Sequence, residues 1–266
     1  MNDLGRLEDL PADYVADLRA LNLVPLWPSL RGVLPPNIPT RQTKATHWPY
    51  AGIRPLLLKA GELTLPGEWA PSHRHTPNAV RMVVEGEGAW TTVDGERCPM
   101  SRGDLILTPT GLWHEHGHDG TEPVVWLDVL DLPLAYYLEV SYHLNGTRQE
   151  TKPGSGDRAY ARAGVVPTPV FGRSGKRYPM LRYPWADAKA ALVSLATDRP
   201  DLQAVQVTYV NPETGEDAEN ILGFHALMLR PGQTLTLPAR SPACVYHVIE
   251  GAARVATDAS AFDLVP

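Results

Sequence analysis

The stretch PSHRHTPNAVRMVVEGEGAWTTVDGERCPMSRGDLILTPTGLWHEHGH, residues 71–118, decides how the rest of the chain is read. AVRMVVEG, AWTTV and DLILTP are short runs of β-branched and apolar residues bounded by glycine, proline or aspartate, the pattern of strands joined by turns. Asp94-Gly95 marks a two-residue hairpin, a turn that needs positive φ at both positions. Working outward, ELTL before and PVVWLDVL after carry the same pattern from Gly61 to Leu134. The 26 prolines and 22 glycines of the 266 residues recur at similar intervals, so the expected fold class is all-β.

Helical signals are confined to two places. Leu10, Tyr14, Leu18 and Leu21 recur at helical spacing, and Pro184 opens PWADAKAALVSLA as a first-turn proline. The polar, Gly/Pro-rich segment around 145 to 160 reads as a surface connection. LLLKAGELTLP and VVEGEGAWTT in the first half are echoed by LMLRPGQTLTLP and VIEGAARVAT in the second, which points to a duplicated β unit. The second copy ends soon after its hairpin, so it is expected to be an incomplete barrel.

Composition removes several function classes. A net charge of -6 and scattered lysines and arginines leave no basic field for nucleic acid. No run of about eighteen apolar residues suggests a membrane span, and MNDLGRLEDL lacks the features of a signal peptide, so a cytoplasmic location is expected. The 2 cysteines, Cys98 and Cys244, lie in different halves and suit neither a disulfide framework nor a cysteine metal site.

His73 and His75 are one residue apart on an apparent strand, so both side chains share a face, which in a small barrel can be the interior. His114 ends GDLILTPTGLWH and comes alongside if its strand is the neighbour. Three neutral imidazoles suit Fe(II), Mn(II), Ni(II) or Zn(II). Arg81, an even step from His75, shares that face on an uninterrupted strand and can take a carboxylate in a forked pair. A histidine by itself is ordinarily a surface or hydrogen-bonded residue, which is the reading for His47, His118, His143, His225 and His247. The same bland reading makes Arg81 a structural ion-pair partner, and His116 and Asp128 hydrogen-bonding residues of the sheet.

These spacings match the cupin motifs. Gly67, His73, His75 and Gly86 fit the first, with Ala79 where a glutamate is usual; Gly103, Pro109, Gly111 and His114 fit the second. Within cupins, residues 71–118 with PLWPSL, IRPLLLKAGEL and VVWLDVLDLPL resemble gentisate 1,2-dioxygenase and its relatives acting on salicylate and 1-hydroxy-2-naphthoate. The resemblance implies a bicupin of double-stranded β-helix barrels with a few helices. The expected segments are an arm (1–50), a metal-binding barrel (51–135), a linker with a helix (136–200) and a partial second unit (201–266).

It further implies an extradiol-type dioxygenase with Fe(II) on His73, His75 and His114. Dioxygen is the co-substrate, and Arg81, His116 and Asp128 are its catalytic residues. Arg81 and Glu62 would touch a small aromatic 2-hydroxy acid. Gentisate would be cleaved to maleylpyruvate, and the family-typical assembly is a homotetramer. A metal- or sugar-binding cupin without oxidative chemistry, and a zinc hydrolase or isomerase, are the alternatives the fold permits. The chain departs from the family at IRPLLLKAGELTLPGEWAPSHRH, which reads as two family segments joined without the stretch between them; Glu62 stands there in place of a glutamine. Pro238 and Arg240 occupy the second copy's positions for the metal histidines, so that copy is not expected to bind iron.

Overall fold

A computed structural model describes residues 10–20, 63–64, 66–152, 156–238, 244–257 and 260–266. The chain divides into two compact units, Met1–Leu63 with Ala239–Pro266, and Thr64–Pro238. Among the described residues no helix is long and apolar enough to cross a membrane.

The unit Thr64–Pro238 is built on two antiparallel sheets. Its strands are β1 (Leu63–Thr64), β2 (Trp69–His75), β3 (Ala79–Glu85), β4 (Glu87–Val93), β5 (Glu96–Ser101), β6 (Leu105–Thr108), β7 (His114–His118), β8 (Val124–Leu130), β9 (His143–Asn145) and β10 (Arg182–Tyr183). One sheet runs β1-β8-β3-β6-β10 and the other β5-β4-β7-β2-β9. Val80, Val83, Ile106, Leu107 and Val124 of the first sheet share one core with Ala89, Val93, Cys98 and Met100 of the second. Burying each such valine, leucine or isoleucine contributes roughly 1.5–3 kcal/mol. The expected all-β cupin architecture is the observed one.

Local chemistry explains the turns. Asp94 and Gly95 take φ of 47° and 81°, and Val93 pairs Glu96 directly, so the expected hairpin forms with positive φ at both central residues. At Gly117 the requirement is space: a Cβ there would lie 2.3 Å from the Trp90 ring, which rests on β7.

Among the described residues there are four helices: α1 (Ala12–Ala20) in the unit that holds Met1–Leu63, and α2 (Leu132–Tyr137), α3 (Gly156–Ala159) and α4 (Trp185–Asp198) in the unit Thr64–Pro238. α1 buries Tyr14 and Val15. α4 presents Ala188, Leu192 and Ala196 to Val205 and Ala226 of the hairpin β11 (Ala204–Thr208) and β12 (His225–Leu229). Pro184 is the residue before the first turn of α4, extended at ψ 135°, and not inside it as expected. The open amides are met from elsewhere, since the Trp185 N–H donates to Asp104 Oδ1 at 2.9 Å. The buried Asp104 also accepts from Arg182 Nε at 2.9 Å and so ties α4 to the first sheet.

The segment expected as a plain connection is held to the β4–β5 hairpin. Gln149 donates to Thr92 O at 2.9 Å and accepts from Gly95 N at 2.8 Å. In the other unit β13 (Ala253–Ala256) pairs β14 (Ala261–Leu264) as a hairpin. Gly251 before it has φ 81°.

Candidate metal centre

β2 carries the first histidines past an irregularity that aims them. Ala70 pairs His116 and His73 pairs His114, so β2 spends one residue more than β7 between these pairs, a bulge at Pro71-Ser72. Proline lacks an amide hydrogen and is tolerated where the ladder is broken. The carbonyl of Pro71 then accepts from His73 Nδ1 at 3.0 Å.

His75 and His114 repeat this arrangement. His75 Nδ1 lies 2.8 Å from Pro77 O and His114 Nδ1 lies 3.0 Å from Leu112 O. A carbonyl only accepts, so each Nδ1 carries the hydrogen and each Nε2 keeps a free lone pair. The ring centres of His73 and His114 are 4.3 Å apart, those of His75 and His114 4.8 Å, and those of His73 and His75 5.8 Å. Among the described residues, the histidines whose nitrogens all lie within 4.8 Å of one another are His73, His114 and His116, a group that does not include His75.

Burial pushes all these imidazoles toward the neutral form. His73 and His75 are lowered from their ordinary value by desolvation first, and His114 is pushed down to about 2 by burial and by its neighbour His73. Neutral nitrogen donors are what a borderline divalent cation binds, and the set fits such an ion.

His116 is held differently. Its Nδ1 lies 2.5 Å from Arg81 Nη1 and 3.0 Å from Thr91 Oγ1. A guanidinium can only donate, so Nδ1 is the acceptor and Nε2 carries the hydrogen. Burial, and then the charge of Arg81, lower its pKa well below the ordinary value. His116 thus presents an N–H where its three neighbours present lone pairs.

Arg81 does share the inward side, yet its fork is already engaged. Asp128, its direct partner across β8, accepts from Nε at 2.9 Å and from Nη2 at 2.6 Å. Nη1 serves Thr91 at 3.0 Å and His116, and the guanidinium lies 4.2 Å over the Trp126 ring. All but one of its N–H donors are taken, the exception being the second hydrogen of Nη2.

The structure therefore brings His73, His75, His114, His116, Arg81 and Asp128 together. Glu62 and His47 lie outside the described residues. His118 is the ordinary residue it was read as: buried, it bonds Glu122 O at 2.5 Å and accepts from Gly120 N at 2.9 Å.

Sequence reasoning missed two residues. His143, read as a surface or hydrogen-bonded histidine, is exposed as that reading has it, but it also pairs His75 from β9 and stacks on His73 at 5.3 Å, a place beside the cluster that the reading did not give it. Thr91 sits fully buried against both Arg81 and His116. No spacing announces His143, because β9 reaches β2 from a distant part of the chain. Thr91 carried a weak signal, a hydroxyl residue in the middle of an apolar strand.

A family model described as "Cupin domain" matches residues 62–130. A gentisate 1,2-dioxygenase from a Ralstonia species is 66% identical over 298 residues, covering 99% of this chain and 84% of that protein. A gentisate 1,2-dioxygenase from a Streptomyces species is 32% identical, covering 91% and 80%. Among solved structures, salicylate 1,2-dioxygenase from Pseudoaminobacter salicylatoxidans in its adducts with gentisate matches with a TM-score of 0.70 at 25% identity, covering 98% of this chain and 85% of that one. The Ralstonia alignment spans 298 positions against 266 residues here, so positions of that relative have no counterpart inside this chain, in line with the joined segments read from the sequence.

Proposed function

The chain belongs to the gentisate 1,2-dioxygenase family of ring-cleaving dioxygenases, and from that premise we propose that its substrate is gentisate, 2,5-dihydroxybenzoate. The bond broken joins the carbon bearing the carboxyl group to the carbon bearing the ortho hydroxyl. Both atoms of dioxygen enter the product, maleylpyruvate.

The observation that carries this reading is the contrast between two kinds of imidazole in one cluster. His73, His75 and His114 each commit Nδ1–H to a backbone carbonyl and keep Nε2 for a cation, so they hold iron(II). His116 commits Nδ1 to Arg81 and cannot offer it to a cation without breaking that bond. Iron(II) bound to the three would supply the means to bind a 2-hydroxybenzoate and dioxygen together and to pass electron density between them.

The remaining residues act on the organic acid. His116 holds a proton at Nε2 and donates it as a hydrogen bond to a substrate oxygen. Arg81 has one free N–H at Nη2 for a second substrate oxygen, and its charge, balanced by Asp128, keeps His116 in this tautomer. Asp128 holds the guanidinium plane. The Trp126 ring, 6.0 Å from that of His116, limits the water that reaches the cluster on that side.

The likeness to salicylate 1,2-dioxygenase favours a second reading, cleavage of salicylate by the same residues. Loading the protein with iron(II) without oxygen, then following oxygen uptake and ring-opening absorbance with gentisate, salicylate and 1-hydroxy-2-naphthoate, separates the two. Gentisate is expected to have the highest kcat/KM. Preference for salicylate selects the second reading, and no uptake with any of them rejects both.

A further inference from the structure

We propose that Thr91 is a positioning residue for the reaction: its hydroxyl fixes the guanidinium of Arg81 and the imidazole of His116 so that the His116 Nε2–H is the only tautomer available to the substrate. The proposal rests on the role given above to His116.

Thr91 lies on β4 directly opposite His116 on β7, so the two side chains share a face of the sheet. It is fully buried. Its Oγ1 accepts from Arg81 Nη1 at 3.0 Å, lies 3.0 Å from His116 Nδ1, and lies 3.7 Å from Met100 Sδ. The Thr91 hydrogen points to the Met100 sulfur, so Oγ1 keeps its lone pairs for Arg81 Nη1, and it is the other Nη1 hydrogen, on a nitrogen 2.5 Å from His116 Nδ1, that keeps a proton off Nδ1. Thr91 therefore favours the Nε2–H form through Arg81, by holding the guanidinium whose N–H faces Nδ1.

The hydroxyl also gives the inner Nη1 hydrogen of Arg81 a place to go. Asp128 controls only the Nε and Nη2 side of the guanidinium, so without Thr91 its other edge would be held by His116 alone. A threonine suits this task because its branched Cβ restricts χ1 and keeps Oγ1 on station. The array Asp128, Arg81, Thr91, His116 crosses from one sheet to the other, since Asp128 and Arg81 lie on β8 and β3 while Thr91 and His116 lie on β4 and β7.

The test compares Thr91→Val, which keeps the shape and removes the hydroxyl, with Thr91→Ser, which restores the hydroxyl. Nitrogen-15 NMR of the imidazoles in the zinc-loaded full chain reads the tautomer, and steady-state kinetics of the iron-loaded chain reads its consequence. Wild type should show His116 with hydrogen on Nε2 and none on Nδ1. T91V should lose the single tautomer and lower kcat on the order of tenfold, with iron content and KM held, and T91S should restore both. Hydrogen on Nδ1 in the wild type overturns the proposal. So does a T91V variant with wild-type kcat, or a T91S variant as poor as T91V, which would leave Thr91 a packing residue. If the wild type opens no ring at all, the functional reading fails while the NMR comparison still decides what Thr91 does to His116.

Discussion

Arg81 and Asp128 face each other across β3 and β8 and form a two-pronged ion pair, Nε to Oδ1 at 2.9 Å and Nη2 to Oδ2 at 2.6 Å, with side chains 6% and 29% exposed. Removing one partner leaves a charge with little water to stabilise it. Asp128→Asn is therefore expected to lower stability by about 2–3 kcal/mol, below the roughly 3–5 kcal/mol of a fully buried pair because Asp128 reaches solvent. Urea unfolding of the metal-free protein measures this, and a midpoint equal to wild type would show that the pair contributes nothing net.

Arg81→Lys separates charge from geometry. Lysine keeps the positive charge but cannot serve Asp128, Thr91 and His116 together. Iron content should stay at the wild-type level while kcat falls by at least about tenfold, since the loss is in orientation and not in the metal shell. Loss of iron in this variant would mean that Arg81 supports the ligands themselves.

The two kinds of imidazole make opposite predictions for metal content. Alanine at His73, His75 or His114 should remove iron along with activity, whereas His116→Ala should keep the iron and lose turnover. The decisive comparison is His75 against His116, because the rings of both lie near that of His114, at 4.8 and 5.8 Å between centres. Iron retained in H75A and lost in H116A would exchange their roles.

Stability without metal should depend on pH. His73, His75, His114 and His116 have folded values below the ordinary 6.5, by burial first in each case. Below about pH 6.5 the unfolded chain takes up protons that the folded chain refuses, so stability falls as pH falls, and for His114 the loss continues toward its folded value of about 2. Urea midpoints measured in steps from pH 7.5 to 5 should decline, and His114→Gln should make the decline shallower. A flat profile would show these histidines protonating freely in the fold.

Gly117→Ala should disturb the sheet beside the site. The added Cβ would meet the Trp90 ring at 2.3 Å, so the ring or β7 must move, at a cost of roughly 1–3 kcal/mol. Trp90→Leu in the same chain should recover much of that loss, which thermal unfolding of the single and double variants can check.

Much of this protein is local and was legible in the order of its residues. Alternation placed His73 and His75 on one face, Asp94-Gly95 set its own hairpin, and the glycine and histidine spacings of residues 67–114 identified the architecture and pointed to the histidines that cluster in it. These follow from strand period and from backbone angles that few residues adopt. Tertiary structure alone decided what each side chain does there. The bulge at Pro71-Ser72 sets which residues of β2 meet His114 and His116, and β9 brings His143 beside His73 from far along the chain. The fork of Arg81, open to a carboxylate when read along β3, closes on Asp128 because β8 pairs with β3 in that register. The proton on His116 follows from a guanidinium that reaches it from β3 and is itself held by a hydroxyl on β4. Hydrogen-bond partners depend on the pairing of distant segments, and a one-residue change of register would exchange every one of them without altering the local pattern that a sequence displays.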